Sequence, residues 1–182
     1  MRPKHRTQRH SADEIVGQLM RRHITAAVLF HHAIAERLGL GPTDHKCLDL
    51  LRERGAMTGS DLCAITGLTS GAITGVVARL EGAGYLRRVA DANDRRRQIL
   101  SPAPGRTRDL QDAVGPIRKD LTAALEDFDA SQLSAIGDFL TRSTDLIYRH
   151  AALLRAHALS GTVRSGRQRT RSAPARAPRT RK

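Results

Sequence analysis

The sequence predicts a mainly α-helical fold carrying one small β-hairpin, with long helices on either side of a compact middle. Three observations point there. Apolar residues recur at helical spacing over 11–38, 110–128 and 133–154. Short segments over 43–81 open on Thr or Ser and close on Gly, the punctuation of brief helices. Residues 85–100 alone combine two short β-type runs with turn chemistry between them.

The elements follow in order. Ser11, with Glu14 as capping-box partner, opens a helix over 11–38 whose face is Ile15, Leu19, Ile24, Val28, Ala35 and Leu38. Gly39 and Gly41-Pro42 stop it. Thr43 is the expected cap of a second helix running through Arg54, with Cys47, Leu50 and Leu51 inside it, and Gly55 ends it. Thr58 with Asp61 opens a short third helix that closes at Gly67, and Thr69 or Ser70 caps a fourth that runs to Glu81. Tyr85–Val89 and Arg97–Leu100 then read as strands around the turn residues Asp91-Ala92-Asn93-Asp94. Pro102, Pro104 and Gly105 break the chain and shorten the returning strand. Two long apolar stripes close the pattern: Leu110, Val114, Ile117, Leu121, Leu125 and Phe128, then Leu133, Ile136, Leu140, Ile147, Ala151 and Leu154.

Charge divides the 182 residues differently. The formal net charge is +13, yet residues 1–10 and 160–182 hold twelve of those charges and no acid, which leaves 11–159 at +1. A basic total is therefore not by itself evidence that the folded part binds nucleic acid. Inside that part the charges are polarised: Arg79, Arg87, Arg88, Arg95, Arg96 and Arg97 fall within nineteen residues, whereas 109–145 holds eight acids against three bases. From Ser160 on, Arg, Ser, Pro, Ala and Thr dominate and disorder is expected. The resulting division is a basic N-terminal arm (1–10), a first long helix (11–42), a middle domain (43–104), two long helices (105–159) and a basic tail (160–182).

Several classes are disfavoured. Two cysteines cannot build a disulfide framework, and the longest apolar run, Ala26–Phe30, is far short of the ~20 residues of a membrane span, so no membrane partner and a cytoplasmic place are expected. Scarce aromatics, with no Trp, argue against base-stacking platforms. No Cys-x-x-Cys, phosphate loop or nucleophile elbow supports an enzyme or a thiol-redox protein.

The order helix, helix, short helix, helix, basic hairpin is that of a winged helix-turn-helix. Leu62 and Leu68 flank the turn, Cys63 is small at the helix crossing, Gly67 permits the turn, and Ile73 and Val76 face inward. Thr69, Ser70, Thr74 and Arg79 are left on the outer face of the fourth helix, where hydroxyls at a helix N-terminus suit phosphate and Thr74 can reach a base edge. Arg95, Arg96 and Arg97 at the hairpin tip suit the DNA backbone or an A·T-rich minor groove.

The stretch LTSGAITGVVARLEGAGYLRRVADANDRRRQIL resembles the recognition helix and wing of MarR-family transcription regulators. Ser70, Thr74, Arg79-Leu80, Gly84-Tyr85, Asp94 and Arg96 occupy the family's motif positions, and the order of helices extends the likeness over about residues 11–157. The resemblance implies a homodimer joined by the first and last long helices, bound to a pseudo-palindromic site on double-stranded DNA. It implies that Arg96 enters the minor groove and that Asp94 holds the wing by a salt bridge. It also implies a small, usually anionic aromatic effector between the dimer helices and the DNA-binding part, for which Arg22, His23 and His31 are candidate pocket residues. Gly75 and Ala78 depart from the Arg and Asp that many relatives carry, so fewer long side chains reach the major groove.

The reading is thus a non-enzymatic, sequence-specific regulator, most simply a ligand-responsive repressor, associated with the nucleoid. The alternative is a nucleoid-coating protein driven by the basic arms. No cofactor is expected. His31, His32 and Glu36 have conceivable metal spacing, but no Cys/His cluster supports them, and no metal is expected. Cys47 and Cys63 read as small buried hydrophobes rather than sensors.

Overall fold

The computed structural model describes residues 10–91, 94 and 97–171, with side chains through 158. It divides into two units, 1–121 and 122–182.

In the first unit, α1 is helical at Ala12–Glu14, passes through a π-helical stretch at Ile15–Leu19 and continues at Met20–Arg37. Ser11 caps it by accepting the Glu14 N–H at 3.1 Å, but the Glu14 carboxylate turns to His10 Nδ1 at 3.1 Å, so the hydroxyl half of the expected box is present and its acid has a different partner. Within the wide turn, the Met20 N–H reaches back to the Ile15 carbonyl. Helix α2 is Pro42–Arg54. Its cap is Gly41, not Thr43, because Pro42 takes the first helical position, where a fixed φ and a missing N–H cost nothing.

A two-residue strand, β1 (Met57–Thr58), follows and corrects the view that the hairpin is the only β structure. Its neighbour α3 (Gly59–Thr66) opens on the expected box: Thr58 Oγ1 accepts the Asp61 N–H at 3.2 Å and Asp61 Oδ2 accepts the Thr58 N–H at 2.8 Å. Gly67 closes α3 in the left-handed region (φ 75°). Helix α4 (Ser70–Gly82) is capped by Thr69, whose Oγ1 accepts the Ala72 N–H at 3.2 Å. The chain turns through 116° between α3 and α4, within the range of a helix-turn-helix.

The wing is β2 (Leu86–Ala90) paired antiparallel with β3 (Gln98–Pro102), and β1 adds to the other edge of β3. Leu86 pairs with Pro102, so the strand extends to the proline rather than stopping before it. Pro102 sits at the strand's last position, where the ladder no longer needs its donor. A short 3-10 turn (Pro104–Arg106) leads into α5 (Thr107–Leu125), which contains Pro116 and whose last residues enter the second unit.

The core of the first unit is built from Leu48, Leu51, Leu62, Val76 and Leu80, all at most 1% exposed, with Ile34, Ala35, Leu86 and Leu100 around them. These side chains come from α1, α2, α3, α4 and the sheet, and they hold α4 and the wing in one packed body.

The second unit is dominated by α6 (Ala130–Arg171), about 63 Å long at 1.5 Å per residue. Asp129 and Gln132 cap it reciprocally, each side chain accepting the other's backbone N–H at 2.9 Å. The backbone of 160–171 continues this helix where a disordered tail is expected, because extending an existing helix needs no new nucleus and the segment carries four arginines, which are good helix formers. Among the described residues no single helix is long and apolar enough to cross a membrane.

Candidate nucleic-acid interface

The N-termini of α3 and α4 and the tip end of the wing's returning strand meet at a cleft of about 430 Å³. Ser60 of α3, Ser70 and Thr74 of α4, and Arg97 and Gln98 of the wing line it, with Cys63 and Ile73 at its floor. The local reasons are visible in the packing. Ile73, Val76, Val77 and Leu80 are buried, which turns Ser70, Gly71, Thr74 and Ala78 outward. The tip of the wing is closed by its own backbone: the Asp91 N–H donates to the Arg97 carbonyl at 3.0 Å and the Arg97 N–H donates to the Asp94 carbonyl at 2.9 Å.

Each expected contact residue takes a definite place. Thr69 is exposed and spends its lone pair on the helix cap. The Thr74 hydroxyl donates to the Ser70 carbonyl at 2.8 Å, which fixes its rotamer and leaves its oxygen lone pair and methyl group outward. Arg97 reaches the cleft from the other side. Arg95 and Arg96 lie outside the described residues, so of the expected Asp94–Arg96 pair only Asp94, exposed, is described.

Arg79, an expected DNA contact, is also engaged within the protein. Its Nε–H donates to Asp44 Oδ2 at 2.8 Å and its Nη2–H to Oδ1 at 2.7 Å, a bidentate pair that ties α4 to α2. The Asp44 side chain is 5% exposed and that of Arg79 is 60% exposed. The hydrogen bonds and charge of Asp44 raise the Arg79 pKa still further. A Cβ on Gly75 would lie 3.2 Å from Arg79 Nη1, so the glycine gives the guanidinium its space. Asp44 was not singled out from sequence; a lone acid in the first turn of a helix resembles ordinary dipole pairing until its partner 35 residues on is known.

Other wing arginines are also engaged. Arg88 pairs with Glu81 at 2.8 Å and donates to Gln98 Oε1 at 3.3 Å, and Arg87 donates to Ser101 Oγ at 3.1 Å. Tyr85 is buried under Arg106, whose guanidinium carbon stands 5.1 Å from the ring centroid. The Asp61 carboxyl is held below its usual range by the Thr58 N–H and hydroxyl, with a smaller contribution from Arg97.

The proposed effector residues are not brought together. Arg22 and His23 are exposed on α1 and do not line this cleft. His31 instead meets His45 and Asp49 of α2. Burial pushes the His45 imidazole below its ordinary pKa, with Asp49 opposing and His31 adding to the shift. Cys47 is fully buried, and burial with the nearby Asp44 carboxylate pushes its thiol up to about 11.

This arrangement has counterparts. The model of the MarR family matches residues 38–97, from the end of α1 to the wing. An uncharacterized HTH-type transcriptional regulator, YcgE of Bacillus subtilis (strain 168), is 37% identical over 142 residues, spanning 78% of this chain and 92% of its own. The crystal structure of RV1404 from Mycobacterium tuberculosis superposes with a TM-score of 0.56 at 19% identity, covering 77% of this chain and 97% of that one. NadR in complex with 4-hydroxyphenylacetate gives 0.53 at 22% identity, covering 75% and 96%. Those two likenesses show the fold, and the YcgE relationship with the family match shows the lineage. The chain belongs to the MarR family of winged helix-turn-helix transcription regulators, DNA-binding proteins rather than enzymes.

Proposed function

We propose that this regulator binds a pseudo-palindromic site on double-stranded DNA as a homodimer and represses transcription until a small effector releases it. The observation that carries the reading is the cleft in which Ser70 and Thr74 of α4 face Arg97 of the wing. A helix N-terminus with hydroxyls supports α4 in the major groove, and the wing arginines Arg95, Arg96 and Arg97 support contact with the backbone or the minor groove. Asp94 positions the wing, and Arg79 acts through Asp44 as a brace for α4 rather than as a phosphate contact. The homodimer is supported by apolar surface on α1, α5 and α6, including Val28, Leu29, Leu121, Leu140, Ile147 and Leu154, all at least half exposed. An anionic aromatic effector is supported only by family membership and by a neighbour solved with 4-hydroxyphenylacetate. Action at the nucleoid, in the cytoplasm, follows from the DNA target.

The test is binding to a fragment upstream of the protein's own gene, with Arg96→Ala beside the wild type. The wild type should prefer its site over random DNA by roughly 10³-fold or more, and the variant should lose much of that preference. Equal binding by both, with no sequence preference in either, would overturn the wing assignment.

A further inference from the structure

Helices α1 and α2 bring His31, His45 and Asp49 together, one ligand-type atom of each within 4.8 Å of the others. Both imidazoles aim Nδ1 at the same carboxylate oxygen: His31 Nδ1 is 3.1 Å from Asp49 Oδ2 and His45 Nδ1 is 3.4 Å from it. His31 Nδ1 and Asp49 Oδ2 are buried atoms, yet neither has a hydrogen bond among the described residues. Buried polar atoms at contact distance without a hydrogen bond need another explanation.

From this geometry we infer that His31, His45 and Asp49 form a binding site for a divalent first-row transition-metal ion. Bonds of about 2.0–2.1 Å to imidazole nitrogen and carboxylate oxygen place tetrahedral ligands about 3.3–3.4 Å apart. The two separations to Asp49 Oδ2, 3.1 and 3.4 Å, lie close to that length. All three ligand-type atoms lie within 4.8 Å of one another, and His31, whose side chain is 39% exposed, has more freedom to adjust than the 3% exposed His45. Two nitrogens and one oxygen suit zinc, cobalt or nickel better than calcium or magnesium, and three protein ligands leave a position for water. The ion would bridge α1 to α2 at His45, the neighbour in sequence of the Asp44 that holds Arg79.

The spacing that sequence offers, His31-His32 with Glu36, does not contain this set, because two of its members come from the next helix. His32 and Glu36 are exposed and serve as internal controls.

The test is titration of the full-length, chelator-stripped protein with cobalt(II), read by ligand-field absorption in the visible, and with zinc(II), read by calorimetry. The expected result is one equivalent per chain with the bands of a low-coordinate nitrogen and oxygen site. His31→Gln and Asp49→Asn should each weaken binding by about tenfold or more, while His32→Gln should bind as the wild type does. Circular dichroism of His31→Gln, a partly exposed position, checks that the variant is folded. No binding by the wild type, undiminished binding by folded His31→Gln, or a thiolate-to-cobalt charge-transfer band would each overturn the assignment.

Discussion

Arg79 and Arg97 are separated in the chain by the last turn of α4 and strand β2, and both are expected DNA contacts, yet their surroundings differ. Arg79 spends Nε and Nη2 on the buried Asp44, so its charge is locally compensated. Arg97 lines the cleft with Ser70 and Thr74. Each neutralised phosphate adds about 0.9 to the magnitude of the logarithmic salt slope. Arg97→Ala should therefore lower that slope by about one. Arg79→Ala should leave it nearly unchanged while weakening affinity for all sequences alike and lowering the melting temperature. Salt-series binding on one operator fragment measures both; an equal slope change in the two variants would make Arg79 a phosphate contact after all. The two cysteines divide in a similar way. Cys47 is fully buried with its thiol pushed up to about 11, whereas Cys63 is half-buried at the cleft floor. At neutral pH a thiol reagent should modify Cys63 first, with bound DNA slowing it, and reach Cys47 only on unfolding. Two thiols reacting together in the native protein would contradict the packing.

Helix ends were the most legible elements, because a capping pair is local chemistry: Thr58 with Asp61 was readable four residues at a time, and the structure shows both halves of that box. Thr58→Ala should cost about 1 kcal/mol of stability, seen as a shifted denaturant midpoint, and somewhat more if the pairing of Thr58 with Ile99 loosens as well. Asp61 also carries a pH dependence. Its folded pKa is below the ordinary 3.8, so the folded state binds fewer protons than the unfolded chain between the two values. Its stabilisation is thus complete above about pH 5 and is lost as pH falls through the folded value. Asp61→Asn should flatten the acid limb of the stability curve, although solvent at this exposed site keeps the effect small. Features set by distant partners were not legible. The strand β1 is only two residues long and exists because β3 passes beside it. The π-helical stretch in α1 leaves no mark in apolar spacing, since one extra residue per turn is within the scatter of the pattern. The Asp44–Arg79 and His31–His45–Asp49 groupings join different helices, and a single sequence offers no route to such contacts.

At the scale of the whole molecule, the decisive quantity is where the +13 resides. Eight of the basic residues lie in 160–182, a segment without an acid, and part of it extends α6. Among the described residues the buried hydrophobic ones all fall between Ile34 and Ala113, well before residue 160. Removing 160–182 should therefore leave the fold and the specific contacts of α4 and the wing intact while reducing the long-range attraction to DNA. The salt slope should fall by no more than about 7, the limit if all eight charges met phosphates at 0.9 each, and non-specific and specific affinities should fall together. Their ratio is the discriminating number. A regulator that reads bases through α4 keeps a ratio in the range of roughly 10³ to 10⁷ after the deletion. A protein that coats DNA by charge starts with a ratio near one and loses its binding with the tail. Measuring both affinities for the full chain and the 1–159 chain, at matched salt, separates the two: a preserved ratio assigns specificity to the folded part, and loss of all binding by the shortened chain would return the basic arms to the centre of its function.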